Sequence, residues 1–284
     1  MAWIFIPTYR IALHFYGRFY TPQIYNVDAV AYESVMVGLI SVLQCKPDDD
    51  ARCPYKNFST GHELNSVFAA WSRDGFHFAR PPAPRTALYG MATEGKTAGV
   101  GSWNAGDVQS AGGGFLVVGD ELFFYGSGRS PSMSVDSTGL WTLRRDGFAS
   151  LDAAGSAGEG ACVTTRPLEW DPAQRFLFAN FNGTGLRAEV LPAGGSAAFP
   201  RYALGDATPF SGDATRTMLA WGGSNTTRIE GAAAGGPAQL RFCWNTGSLF
   251  SFWVSGSACG ESGGFVAAGG PGLGGGMTDT RGGC

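Results

Sequence analysis

The chain has 284 residues with 20 basic and 23 acidic side chains, a net charge of −3. A balance this even excludes the basic excess of a nucleic-acid binder and the charge excess of a disordered tail. Glycine is the outlier, 44 residues, while aromatics reach 13%. Glycine disfavours helices and supplies the positive φ angles of tight turns, and the aromatics supply a core, so short strands joined by turns are expected.

The elements follow in chain order. No window of 18 apolar residues offers a membrane helix, and the N-terminal stretch lacks the basic, apolar and small-residue regions of a signal peptide. Ser34 to Leu43 reads as a buried strand interrupted by Gly38. Glu63 to Trp71 reads as a second, ending at Ser72-Arg73-Asp74-Gly75. Phe115 to Val118 and Glu121 to Tyr125 flank Gly119-Asp120, a strong hairpin signal. Gly139 to Arg144 is a strand ending at Arg145-Asp146-Gly147-Phe148. Arg-Asp-Gly-Phe thus occurs twice, about 72 residues apart, as successive blades of a β-propeller would place it. In each copy the Asp is expected to bond turn amides and the Gly to take positive φ.

After residue 148 the texture changes. Short strands are expected at Phe176 to Asn180, Leu186 to Leu191, Met218 to Trp221, Leu240 to Trp244 and Leu249 to Val254, spaced as in a β-sandwich. From Gly256 onward 12 of 29 residues are glycine, and this tail is expected to be irregular. The expected domains are 1–147, 148–256 and a Gly-rich tail, 257–284.

Several motifs resemble sites without their context. Gly90 to Thr97 fits G-x-x-x-x-G-K-T, but a proline-rich stretch precedes it and a glycine-rich one follows, so a surface loop is expected. Gly260-Glu261-Ser262-Gly263-Gly264 fits G-x-S-x-G, yet no histidine follows His77. Asp48-Asp49-Asp50 reads as a solvated loop. The cysteines at 45, 53, 162, 243, 259 and 284 contain no zinc spacing, so neither metal nor cofactor is expected. Cys45 and Cys53 either close a small disulfide loop or stay free. Three glycosylation sequons begin at Asn57, Asn182 and Asn225; they favour a secretory route, against which the missing signal peptide stands.

Four stretches carry a family resemblance: Tyr25 to Ser34, Ser72 to Phe78, Gly119 to Tyr125, and Leu143 to Asp152 with Thr164 to Leu168. In this order they resemble the uncharacterised relatives of glycosyl hydrolase family 32, which are similar to β-fructosidases such as invertase and levanase. The resemblance spans roughly residues 24–270. It implies an all-β chain, a five-bladed β-propeller followed by a β-sandwich, acting on oligosaccharides or polysaccharides. It also implies a nucleophilic Asp, an Asp of an Arg-Asp-Pro motif, and a Glu that protonates the leaving oxygen, the division of labour of a retaining glycosidase.

On this resemblance Glu33 is the acid/base, opening an apolar strand whose neighbours would raise its pKa. Asp28 and Asp107 are candidate substrate contacts, with ordinary turn and loop roles as their alternatives. Trp103 is a candidate stacking platform, with a core role as its alternative. Neither a Trp-x-Asn-Asp-Pro-like motif nor Arg-Asp-Pro occurs. About 150 residues before the sandwich are too few for five blades, so a partial propeller is expected: either the first blades and nucleophile would precede Met1 in an N-terminally truncated chain, or the chain is a degenerate relative that lacks them. The rival expectation is a non-catalytic carbohydrate-binding or structural β-module, with Trp103, Tyr125 or Trp253 as platforms. The partner expected in either case is carbohydrate.

Overall fold

The computed structural model describes residues 23–43, 65–80, 89–90, 103–104, 107–110, 113–130, 136–153, 160–223, 227, 229, 236–266 and 278–279. Those residues form strands and turns and no helix, so the protein is all-β. The chain divides between Leu143 and Arg144 into two compact units. Phe265–Val266 belongs with the first unit, and Thr278 and Asp279 belong with the second.

The first unit begins with β1 (Gln23–Glu33), β2 (Val35–Leu43), β3 (Asn65–Ser72) and β4 (Tyr89–Gly90). These four strands pair in sequence order, and β1 also pairs with the late strand Phe265–Val266. Strand β2 lies between β1 and β3 and is buried along almost its whole length. Gly38 does not interrupt it. A Cβ there would stand 2.9 Å from the Phe78 ring, so the glycine makes room for an aromatic lid. Strand β1 has no counterpart among the expected strands, since Asn26 and Asp28 break its apolar pattern.

The second sheet of this unit contains β5 (Asp107–Ser110), β6 (Leu116–Val118), β7 (Glu121–Arg129) and β8 (Asp136–Arg144). Strand β7 is central, with β5 and β6 along it and β8 paired to it. The expected Gly119-Asp120 hairpin is present, with Val118 paired to Glu121 and Gly119 at φ 62°. Positive φ at the first of two loop residues is the twist-matched hairpin geometry that glycine favours.

The second unit contains β9 (Leu151–Ala153), β10 (Ala161–Thr164), β11 (Phe176–Pro192), β12 (Phe210–Met218), β13 (Ala238–Trp244) and β14 (Thr246–Ser255). The closing pair Phe265–Val266 of the first unit is β15. The strand order is β10-β13-β11-β14-β9, with β12 also on β11. Two strands expected separately, Phe176 to Asn180 and Leu186 to Leu191, are one 17-residue strand. Gly183-Thr184-Gly185 bends β11 instead of ending it. Gly183 has φ 155°, and a Cβ there would lie 2.0 Å from the Thr246 carbonyl oxygen, so the bend requires glycine. The bend also shifts the facing: Leu177, Ala179 and Phe181 enter the core before it, Leu186, Ala188 and Val190 after it. One strand thereby lines two sides of one core, as bent strands do at sheet corners. Met218 to Trp221 is a second correction: β12 ends at Met218, and Trp221 is a fully buried bridge residue whose indole donates to the Ala188 carbonyl at 2.9 Å.

Cys162 and Cys243 face each other across β10 and β13 and form a disulfide. Cys259 is disulfide-bonded as well. The possible Cys45–Cys53 loop lies outside the described residues. Among the described residues there is no cluster of metal-ligating side chains, and no helix is long and apolar enough to cross a membrane.

Candidate functional site

Glu33 does not open a strand. It ends β1, Ser34 is the turn, and Tyr32 pairs with Val35, so Glu33-Ser34 is a two-residue hairpin loop. Glu33 has φ 52°, the left-handed region that Gly119 occupies in the β6–β7 hairpin. A glutamate in this place carries a steric cost of roughly 1–2 kcal/mol that glycine avoids. Its side chain is also buried, 3% exposed. Its backbone neighbour across the sheet is Phe265 of β15. The preceding Tyr32 is fully buried and meets Phe115 edge-on at 5.1 Å, and Phe115 meets Phe124 at 5.1 Å. A buried carboxyl group is thus held at a strained turn.

Asp28 stands elsewhere. It lies five positions before Glu33, roughly 16 Å along β1 at strand rise. Asp28 shares its face with Val30 and Tyr32, since the register runs unbroken from Asn26 to Tyr32. It pairs with Leu39 and accepts a bond from the Asn26 amide at 3.3 Å. At that separation Asp28 is outside the 5–9.5 Å range over which paired glycosidase carboxylates work.

Trp103 and the backbone of Asp107 both lie toward the far end of β7. Asp107 opens β5 opposite Arg129, and Arg129 forms an ion pair with Asp136 at 2.8 Å. The Trp103 ring covers Gly128 and Gly139; a Cβ on either would approach it to 2.4 or 2.1 Å. It tilts against Trp141 at 4.9 Å, whose ring covers Gly126. The buried face of β7, Leu122, Phe124, Gly126 and Gly128, is therefore completed by two indoles. Trp103 is half-buried in this packing. Trp141 was missed in the sequence, although its spacing two residues after Gly139 fits the alternation of β8. Of the other aromatic candidates, Trp253 is buried against Phe178, and Tyr125 is exposed on the outer face of β7.

The two Arg-Asp-Gly-Phe copies differ in build. In the first, Asp74 accepts from the amides of Phe76 and His77 at 2.9 and 2.8 Å, and Gly75 takes φ 79°. The Asp74 carboxylate also meets the His77 ring at 2.6 Å and the Ser72 hydroxyl at 3.0 Å. The His77 amide and imidazole, then the Phe76 amide, hold its pKa well below the usual carboxylate range. In the second copy it is Asp146 that takes positive φ, 59°, and its buried carboxylate accepts from Ser251 at 2.6 Å. The shared tetrapeptide does not mark one repeated turn.

Around the second copy lies a polar network that the sequence did not announce. Arg144 donates to Asn180 at 2.6 Å and pairs with Asp213, and Asn180 donates to the Arg145 carbonyl at 2.6 Å. Arg145 and Asp279 form a buried ion pair at 2.6 Å. Ser262 donates to Asp279 at 3.4 Å, and its oxygen accepts from the Gly264 amide at 3.2 Å. Its G-x-S-x-G setting is therefore a turn that organises a tail residue. Beyond Gly90 the phosphate-loop lookalike, with Lys96, lies outside the described residues.

Compared with protein-family models, curated proteins and solved structures, the chain matches none.

Proposed function

We propose that this chain is a glycoside-hydrolase-like protein, related to the β-fructosidases that its motif order resembles, which binds carbohydrate and does not cleave it alone. The observation that carries the reading is Glu33, a buried carboxyl group in a backbone conformation that disfavours glutamate. Strain retained at a titratable residue is a feature of functional sites. Turnover needs a second carboxylate, and the nearest candidate along β1, Asp28, is too distant.

The finer architecture belongs to the same proposal. Strands β1 to β4 form an up-and-down sheet of the kind a propeller blade uses, supporting a partial propeller. The bent β11 closing over a single core supports a sandwich in the second unit. The disulfides support an oxidising compartment, where such bonds persist.

The test combines hydrolysis with binding. The wild-type chain and Glu33→Gln are assayed on sucrose, inulin, levan and aryl glycosides. Both are then run by electrophoresis in gels containing inulin or levan. No hydrolysis by either protein, with wild-type migration retarded and the variant's less so, is the expected result. Hydrolysis abolished by Glu33→Gln would overturn the non-cleaving part. Unretarded migration of the wild type in both gels would overturn fructan binding.

A further inference from the structure

The sequon Asn182-Gly183-Thr184 lies at the bend of β11, with Asn182 and Thr184 both exposed. Two residues apart on a strand, they share one face, while Phe181 is turned into the core. The protein also carries disulfides, so it has the chemistry of the compartment in which asparagine glycosylation occurs.

We propose that Asn182 is an N-glycosylation site, modified on the nascent chain before β11 pairs. The reaction joins Asn182 Nδ2 to C1 of an oligosaccharide as the C1–oxygen bond to a lipid diphosphate donor breaks. Nδ2 gives up one proton to a base of the transferase and keeps the other. The remaining N–H can still serve the contact that Nδ2 makes in the folded protein, 3.3 Å to Asp213 Oδ2. The Asp213 side chain is itself more than half exposed, so the outward face has room for the sugar.

The timing follows from the fold. In the folded protein Asn182 Nδ2 is turned to Asp213, and Thr184 Oγ1 meets Thr246 Oγ1 at 2.8 Å. Both sequon side chains are thus engaged sideways, by strands β12 and β14, and Gly183 pairs with Gly212 and Gly247. The partners lie 31 and 62 residues downstream. A chain emerging N-terminus first presents the sequon before either partner strand exists.

The experiment expresses the full chain behind a secretory leader in a eukaryotic host. Peptide-N-glycosidase treatment in heavy-oxygen water then marks each occupied asparagine as a labelled aspartate. Label at Asn182 is expected in the secreted protein. It should vanish in Asn182→Gln and Thr184→Ala and remain in Thr184→Ser. Secreted protein with an unlabelled Asn182 peptide would overturn the site, whatever happens at Asn57 or Asn225. For the timing, unglycosylated folded protein and its reduced, unfolded form are offered to isolated oligosaccharyltransferase with a lipid-linked donor. At least tenfold faster modification of the unfolded form is expected; equal rates would overturn the nascent-chain part. None of these readouts depends on fructan binding, so this proposal and the preceding one can fail separately.

Discussion

Glu33 and Gly119 occupy the same place in two hairpins, at φ 52° and 62°, and only the glycine suits it. The contrast isolates the backbone cost from whatever the carboxyl group does. Glu33→Ala and Glu33→Gly both delete the side chain beyond Cβ, but only glycine relieves the left-handed strain. Glu33→Gly should therefore be more stable than Glu33→Ala by about 1 kcal/mol, read as a higher urea midpoint at equal slope. Equal midpoints would show that the turn relaxes out of the left-handed region. The sequence did bring out this residue, through its apolar neighbours and the family resemblance. Its conformation was not legible, because β1 hides behind Asn26 and Asp28 and left Glu33 looking like the start of a strand. Asp74 shows the converse. Its turn role was legible because an aspartate bonding nearby amides needs only local chain. The lowered pKa gives that turn its acid limit. The stabilisation is present above the unfolded carboxylate pKa, near 3.9, and is lost as pH falls through the depressed folded value.

Strands were legible where glycine marks a turn and misread where glycine serves packing or bending. The Gly-Asp hairpin between β6 and β7 belongs to the first kind, and Gly38 and Gly183 to the second. Alternation within a strand is a local signal. The ring that needs a missing Cβ comes from another segment and leaves no mark beside the glycine. Trp103 makes this testable, because its sequence setting suggests a sugar platform, yet it is half-buried over β7 and β8. A Cβ at Gly139 would sit 2.1 Å from the indole, so the ring must move. Gly139→Ala should cost about 1–3 kcal/mol, the range of overpacked sites. The same change in a Trp103→Ala background should cost less than half as much, since the obstructing ring is gone. Additive losses in the double-mutant cycle would mean that Trp103 does not cover Gly139 in solution. A near-Ångström clash of this kind is a sharper sign of packing than fractional exposure alone.

At the scale of the whole molecule, one described residue of the glycine-rich tail is anchored far back in the chain. Its composition suggests an irregular end, yet Asp279 is 4% exposed and its backbone bonds Gly263 and Gly264 at 3.1 and 2.7 Å. The anchor is Arg145, 134 positions earlier, a separation across which a single sequence offers no periodic signal. Both charges are buried, 7% and 5% exposed at the side chain, so their removal from water must be offset by their mutual attraction and hydrogen bonds. Removing one partner leaves the other buried without its counter-charge. Asp279→Ala should therefore destabilise the second unit by about 3–5 kcal/mol, whereas the joint change Arg145→Met with Asp279→Leu should cost much less. The measurement is thermal or urea unfolding followed by the fluorescence of the tryptophans, among which Trp221, Trp244 and Trp253 report the second unit. Limited proteolysis adds a local readout: the single variant should be cut near its C-terminus before any other site, and the double variant should not. If Asp279→Ala unfolds like the wild type and keeps its tail, the ion pair contributes nothing to the fold.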